Sequence, residues 1–268
     1  MGTTLPMAVT NPLSSDTLTE YLAYLKLPAM RASFVDLAST AAQEGQTHLE
    51  FLGRLVEKEV VSKKDRAARS RTAAAQIPVI KTIDSWDWTW NAAFIKREQI
   101  MPLFSLELAR LKKNLIILGQ QGLGKTHLSV ALAHAACVSG INTRFTTAAD
   151  MLNRLHAAMA DHSLEKALQA YTRPSLLVID EVGYLPFNKE AGDLFFQVVA
   201  KRYERGSIVL SCNRGFRQWS EIFADPIVAA AIIERLVHHG EILTLKGKSY
   251  RLKGKKDLDT NLAGSDKA

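Results

Sequence analysis

Hydrophobic positions recur at helical spacing near the start of the chain. Tyr21, Leu22 and Leu25 fall on one face of a first predicted helix, for which Thr17 is the expected N-cap. Pro28 is placed to begin a second helix, because proline is tolerated in a first helical turn. The pattern therefore predicts two consecutive amphipathic helices.

A third and longer helix is predicted from Thr47 to Ala75. Its apolar side is expected to consist of Leu49, Leu52, Leu55, Val56 and Val60. We therefore predict a small all-α domain over residues 17–78. The Pro-, Thr- and Ser-rich residues 1–16 are predicted to be disordered.

Beyond residue 113, short apolar runs alternate with longer helical patterns. Four strands are predicted, over residues 114–118, 143–147, 175–179 and 207–212. Three helices are predicted between them, over residues 127–138, 148–160 and 190–205. This alternation predicts an α/β domain over residues 114–252, with a parallel sheet flanked by helices and ligands at the strand carboxyl ends. Residues 79–113 are expected to be a linker and residues 253–268 a basic, flexible tail.

The segment after the first predicted strand matches G-x-x-x-x-G-K-[ST], the pattern of a phosphate-binding loop. Glycines let consecutive backbone N–H groups point at phosphates, and the following helix directs its N-terminus at the same anion. Lys125 is expected to reach the β- and γ-phosphates of a nucleotide, and Thr126 to bind Mg²⁺. The predicted nucleotide-contacting residues are Gly119, Gln120, Gln121, Gly122, Leu123, Gly124, Lys125, Thr126 and His127.

Two acids follow the third predicted strand. Asp180 is expected to hold Mg²⁺, and Glu181 to polarise the water that attacks the γ-phosphate. A solvated acidic turn is the alternative, but the preceding phosphate loop favours the catalytic interpretation. Asn213, at the end of the fourth predicted strand, is expected to hydrogen-bond the γ-phosphate and the attacking water; a turn-forming asparagine is the alternative.

Composition narrows the class of protein. The apolar runs are too short for a membrane span, and the first residues lack the pattern of a signal peptide. Cys137 and Cys212 have no metal-type spacing, which favours reduced core cysteines in a cytoplasmic protein. The formal net charge of +7 favours a polyanionic partner.

Basic residues are concentrated in two stretches. Residues 54–71 contain seven basic and three acidic side chains, whereas residues 246–256 contain six basic and no acidic ones. Lysines without acidic partners suit contacts with the DNA phosphate backbone, although a solvated helix face explains the first stretch equally well. The candidate DNA-contacting residues are Lys63, Lys64, Arg66, Arg69, Lys246, Lys248, Lys253, Lys255 and Lys256.

Aromatic residues are concentrated in the predicted linker. Trp86, Trp88, Trp90 and Phe94 are expected to be packing anchors. The alternative is that one or two of them flank an adenine base.

Taken as a set, these motifs resemble those of the IstB-type helper ATPases of bacterial insertion sequences, relatives of the DnaC helicase loaders within the AAA+ class. The resemblance extends from about residue 18 to residue 251. It rests on the phosphate loop with His127, on the run LVIDEVGYL at residues 177–185, and on Ser211-Cys212-Asn213. It continues through Trp219–Asp225 and Glu234–His239.

The resemblance implies an ATP- and Mg²⁺-dependent AAA+ ATPase with ATP at the interfaces of a homo-oligomer. It also implies that this oligomer binds duplex DNA and assists a cognate transposase in target selection and DNA recombination. Arg235 matches an arginine supplied to the ATP of a neighbouring subunit, and Arg251 matches a C-terminal sensor arginine. For either arginine, a surface salt bridge is the alternative. Glu234 stands where the family commonly has Asp, and the helical lid of many AAA+ proteins is expected to be absent.

Two other functions share most of these motifs. A loader of a replicative helicase would have the same fold and the same ATP site. A scaffold that binds ATP without hydrolysing it would also need the phosphate loop, but it has no need of Glu181. The second acid therefore favours an ATPase.

Overall fold

The computed structural model describes residues 14–184 and 186–253, which fall into two compact units. The first unit ends at Ala67 and the second begins at Ala68. Most of the segment predicted to be disordered, and the tail beyond Lys253, lie outside the described residues. Within the described part of the chain, none of the helices has the length and apolar character that crossing a bilayer requires.

The first unit is helical, as predicted. It contains α1 (Ser15–Tyr24), α2 (Pro28–Gln43) and the beginning of α3 (His48–Ala74), which continues into the second unit. The N-cap of α1 is Ser14, whose hydroxyl oxygen accepts the Thr17 N–H at 3.1 Å. The prediction of Thr17 as the cap is therefore wrong, since Thr17 lies in the first turn.

The predicted apolar side of α3 is mostly uncovered. Leu55 packs in a small core with Leu22 and Phe34, whereas Leu49 is 78% exposed. Leu52, Val56 and Val60 are exposed as well. With 27 residues, α3 offers more surface than α1 and α2, with 10 and 16 residues, can cover.

Glu59 of α3 supports the start of α2. Its buried carboxylate accepts the N–H groups of Ala29 and Met30 at 2.8 and 3.0 Å, and it pairs with Arg66 at 3.1 Å. Because α2 has no side-chain cap of its own, Glu59 satisfies donors that would otherwise lack partners. Arg66, a candidate DNA-contacting residue, thus has a structural role in this unit.

The second unit is built on a five-stranded parallel sheet. Its strands are β1 (Asn114–Leu118), β2 (Thr143–Thr147), β3 (Leu176–Val182), β4 (Ser207–Cys212) and β5 (Gly240–Thr244). Their order across the sheet is β2-β3-β4-β1-β5. The four predicted strands are confirmed, with β3 longer than predicted, whereas β5 was not predicted.

Helices cover both faces of this sheet. They are α4 (Arg97–Ile100), α5 (Glu107–Arg110), α6 (Lys125–Val138), α7 (Ala148–Ala160), α8 (Leu164–Thr172), α9 (Lys189–Arg202), α10 (Trp219–Phe223) and α11 (Pro226–His238). Alternate residues of β1 face different cores: Ile116 packs in one cluster, whereas Leu115 and Ile117 pack with Leu128 of α6 in the other. Continuous burial of β1 and β4 is typical of a sheet covered on both sides.

Arg202 ties the end of α9 to the loops around β3 and β4. It is almost fully buried, and its guanidinium donates to the carbonyl oxygens of Tyr171, Pro174, Ser175 and Ser207 at 2.6–3.1 Å. Burial lowers the pKa of Arg202 to about 10, so the side chain remains charged at neutral pH. Charge-assisted bonds to several carbonyls compensate for its desolvation.

Replacing Arg202 with alanine is expected to destabilise the second unit by at least about 3 kcal/mol, because it leaves several buried carbonyl oxygens without donors. Urea denaturation would measure the loss. The neighbouring Lys201, which makes an exposed ion pair with Glu165, is the matched control. Lys201→Ala is expected to cost less than about 1 kcal/mol. Equal losses for the two variants would contradict the anchoring role of Arg202.

Candidate nucleotide-binding site

The phosphate loop connects the end of β1 to the start of α6. Gly122 and Gly124 have φ angles of +78° and +90°, a region that side-chain-bearing residues rarely adopt. Both glycines are also closely packed: a Cβ on Gly124 would lie 2.6 Å from the ring of Trp86, and one on Gly122 would overlap Ser249. Backbone conformation and packing therefore both require glycine at these positions.

Lys125 extends back over this loop. Its Nζ donates to the carbonyl oxygens of Gly119 and Gln120 at 2.7 and 2.9 Å. Partial burial lowers the pKa of Lys125, while the nearby Asp180 carboxylate acts in the opposite direction. A desolvated ammonium inside a glycine-rich turn is a strong site for a phosphate group.

The strand order brings the polar strand ends together. Because β4 lies between β1 and β3, the residues that follow β4 lie between the phosphate loop and the acids of β3. Asp180 is buried and accepts a hydrogen bond from the Ser211 hydroxyl. Ser211 in turn accepts the Glu181 N–H at 3.0 Å. Ser211 thus fixes both acids, a function that its sequence position did not indicate.

Glu181 lies in a β-bulge. Between Ile179 and Val182 the register of β3 against β4 shifts, and Glu181 has a φ of +61°. Such a bulge re-aims the side chain, and a left-handed conformation at a non-glycine residue costs about 1–3 kcal/mol. Asp180 is thus buried, whereas the next residue, Glu181, is exposed and lines the cleft.

Asn213, directly after β4, also lines this cleft. Its Oδ1 is buried and has no hydrogen-bond partner among residues 14–184 and 186–253. Leaving a buried polar atom unpaired costs free energy, so such an atom in a folded protein calls for an explanation such as a ligand contact. This oxygen can accept a hydrogen bond from a water or another donor that enters the cleft, and the predicted role of Asn213 stays a prediction.

Together these elements border a cleft of about 400 Å³, a size typical of small-molecule sites. Loop residues 121–127 line it, with Trp86 and Trp90 from the segment before the sheet. Gly119 and Gln120 line a neighbouring surface pocket, and their carbonyl oxygens accept hydrogen bonds from Lys125. Thr126 lines the cleft, whereas Asp180 is buried and does not line it. Their hydroxyl and carboxylate oxygens are of the kind that Mg²⁺ prefers, so a magnesium site there stays a prediction.

Trp86 forms part of the support for the loop. Its ring meets His127 edge-on at a centroid distance of 5.2 Å, and His127 Nε2 lies 3.0 Å from the Thr82 carbonyl oxygen. Trp88 packs against the core, as expected. Phe94 is 58% exposed, so its prediction as a packing anchor is wrong.

The two predicted arginines occupy different places. Arg251 lines the cleft, and its positive charge contributes to the lowered pKa of Lys125. Arg235 lies in the last turn of α11, over the ring of Phe196 at 5.0 Å and bonded to the Ala231 carbonyl oxygen at 2.9 Å. Arg235 is therefore outside the cleft of its own chain.

The basic residues proposed for DNA contact differ in exposure and in pairing with acidic residues. Lys63 and Lys64 on α3, and Lys246 and Lys248 after β5, are exposed, as is Arg69. Lys253 pairs with Asp87, so the expectation that the tail lysines lack acidic partners is wrong for this residue. Lys255 and Lys256 lie outside the described residues.

The parallel sheet, the phosphate loop after β1 and the acid pair at the end of β3 define a P-loop NTPase fold of the AAA+ class. The chain belongs to the family described as IstB-like ATP binding protein, whose sequence profile matches residues 20–258.

Similar proteins come from bacterial insertion sequences. The chain is 38% identical to the ATP-binding protein of insertion sequence IS5376 from Geobacillus stearothermophilus, over 88% of this chain and 94% of that protein. It is 36% identical to the ATP-binding protein of IS21 from Pseudomonas aeruginosa, over 88% of both chains. The crystal structure of DnaI matches 62% of this chain and 91% of its own at a TM-score of 0.54, with 16% identity, a likeness of fold alone.

Proposed function

We propose that this protein binds ATP with Mg²⁺ in the described cleft and hydrolyses it. We further propose that it does so as an oligomer on duplex DNA, where it assists a transposase in target selection and transposition. The observation that carries the proposal is the convergence of Lys125, Glu181 and Asn213 on one cleft beside a glycine-rich loop.

Binding follows from the loop. The N–H groups of the glycine-rich turn and the Lys125 ammonium would hold the phosphates. Trp86 and Trp90, which line the cleft, would contact the nucleoside. Thr126 and Asp180 would hold Mg²⁺, which would neutralise charge on the phosphate oxygens.

Hydrolysis needs a group that orients and polarises water. Glu181 is suited to this role because the bulge directs its exposed carboxylate into the cleft rather than into the sheet. Asn213 Oδ1, which lacks a partner among the described residues, would accept a hydrogen bond from the attacking water, while the side-chain N–H group would donate to the γ-phosphate. Ser211 would act through Asp180 and Glu181, keeping both at fixed positions.

Oligomerisation is supported by the location of Arg235. A guanidinium outside its own cleft, at the C-terminal end of a helix, is suited to reach the γ-phosphate of an adjacent subunit. ATP would then bridge two subunits, and hydrolysis would weaken that interface.

The DNA and transposase assignments rest on the insertion-sequence relatives and on the charge of +7. Exposed lysines after β5 would contact DNA phosphates without reading base sequence. The relatives favour a transposase over a replicative helicase as the client.

The decisive experiment measures ATP turnover with and without duplex DNA at about 50 mM salt, where phosphate contacts are strong. We expect DNA to raise turnover severalfold. Glu181→Gln is expected to bind ATP and assemble without turnover. A wild-type protein that binds no DNA, and whose rate of ATP turnover is the same with and without DNA, would contradict the proposal. Capture of a replicative helicase instead of the transposase would identify a loader.

A further inference from the structure

The segment after β5 crosses the phosphate loop. It comprises residues 247–253 and is here named the strap. Just before it, the Leu245 N–H donates to the Leu118 carbonyl oxygen at 2.8 Å, and within it the Tyr250 N–H donates to Gly122 at 2.8 Å. Ser249 fills the space that a side chain on Gly122 would need. The strap therefore packs directly against the backbone of the phosphate loop.

Asn91 holds the first end of the strap. Its side-chain amide donates to the Lys248 carbonyl oxygen at 2.8 Å and accepts the Lys248 N–H at 2.8 Å. Trp90 Nε1 donates to the same carbonyl at 3.0 Å. Gly247 has a φ of +129°, and a Cβ there would lie 2.4 Å from the Asn91 amide. The Asn91 side chain thus pairs with both the N–H and the C=O group of Lys248, as the backbone of a neighbouring strand would.

Lys253 holds the other end. Its ammonium pairs with Asp87, and this hydrogen bond is the main reason that the pKa of Asp87 lies below its ordinary value. The Lys253 ammonium also lies over the rings of Trp90 and Tyr250, at 5.8 and 5.2 Å from their centroids. Both ends of the strap are therefore attached to the same short segment, residues 87–91.

Arg251 lies between these two attachments and lines the cleft. The strap covers little of the hydrophobic core: Tyr250 is 48% exposed, Arg251 is exposed, and no residue of the strap is fully buried. Hydrogen bonds that fix a segment with so little apolar burial contribute to its position more than to the stability of the core.

We propose that Asn91 is a positioning residue for nucleotide hydrolysis: by fixing the strap, it places the Arg251 guanidinium against the phosphates of the bound nucleotide. This inference rests on the proposed ATPase function.

The first test is Asn91→Gly. Asn91 has a φ of +60°, so glycine keeps the backbone conformation and removes only the amide. We expect kcat to fall about 10- to 100-fold through displacement of Arg251, while the Kd for ATP changes less than about threefold. Lys112→Gly is the matched control, because Lys112 is exposed and has a φ of +56°. Its kinetics should be unchanged.

A double-mutant cycle tests whether Asn91 acts through Arg251. In an Arg251→Ala background, Asn91→Gly is expected to lower kcat by less than about twofold further. If the two losses multiply instead, Asn91 acts independently of Arg251 and the inference fails.

Hydrogen exchange gives a readout that needs no hydrolysis. Amides of residues 248–251 should exchange faster in Asn91→Gly than in the wild type, Lys112→Gly or Arg251→Ala. A non-hydrolysable ATP analogue should slow this exchange further in the wild type but not in Arg251→Ala. An unchanged strap in Asn91→Gly, or equal slowing in both proteins, would overturn the inference. If wild-type protein shows these exchange effects yet never turns over ATP, the ATPase proposal fails and with it the role in hydrolysis, whereas the positioning of Arg251 at the nucleotide by Asn91 stands.

Discussion

Lys125→Ala is expected to lose ATP binding, with the Kd for ATP rising at least about 100-fold. The ammonium is partly buried, and in the nucleotide complex it would replace its bonds to Gly119 and Gln120 with bonds to charged phosphate oxygens. Such charge-assisted bonds contribute about 1.5–3 kcal/mol each, so losing them accounts for a change of this size. Fluorescence titration with a labelled ATP analogue would measure it.

The same substitution should abolish nucleotide-driven assembly, because ATP would bridge adjacent subunits. Light scattering or sedimentation with and without ATP would show this. Lys166→Ala, which removes an exposed lysine of α8 outside the cleft, should leave binding and assembly unchanged. Normal ATP affinity in a folded Lys125→Ala protein would refute the assignment of the cleft as the ATP site.

Arg235→Ala is expected to retain ATP binding and to lose turnover by a factor on the order of 10³, as for arginines that stabilise the transition state of phosphoryl transfer. Binding should survive because Arg235 lies away from the cleft of its own chain, over Phe196. Arg235→Lys should recover little, because an ammonium lacks the planar fork of a guanidinium. Full turnover in Arg235→Ala would make this residue an ordinary surface arginine.

Mixing two inactive variants tests whether Arg235 acts across subunits. Lys125→Ala subunits still carry Arg235, and Arg235→Ala subunits still carry a complete cleft. Turnover should therefore reappear in the mixture, at interfaces that combine one of each. If Arg235→Ala alone is inactive and mixing restores nothing, action from a neighbouring subunit is excluded.

Local sequence signals predicted most of the central fold. The runs at 143–147 and 148–160 have the predicted bounds because a β-rich segment meets a helix whose N-cap, Thr147, accepts the Asp150 N–H at 3.0 Å. β5 escaped prediction because it is an edge strand with a half-exposed Ile242 and no continuous apolar run. The exposed apolar residues of α3 show another limit of prediction from sequence. Periodicity identifies the apolar face of a helix but not the element that packs against it.

The phosphate loop and the acids could be identified from short motifs, since their chemistry depends on local spacing. Strand order was not available from the sequence, so the location of Asn213 between loop and acids emerged only with the fold. Asn91 carries no local signal, because its partner Lys248 lies 157 positions further along the chain. The bulge at Glu181 likewise depends on pairing with β4.

The position of β5 has a consequence for synthesis. A nascent chain that ends at α11 contains the phosphate loop, but it lacks the strand beside β1 and the backbone that contacts Leu118 and Gly122. These supports emerge from the ribosome after the other four strands, although they complete a site that begins with residues made much earlier. Since domains fold as units during translation, the cleft matures only once residues 240–253 are available. A prematurely terminated subunit would therefore be unable to form the complete cleft and compete for places in an ATP-bridged assembly.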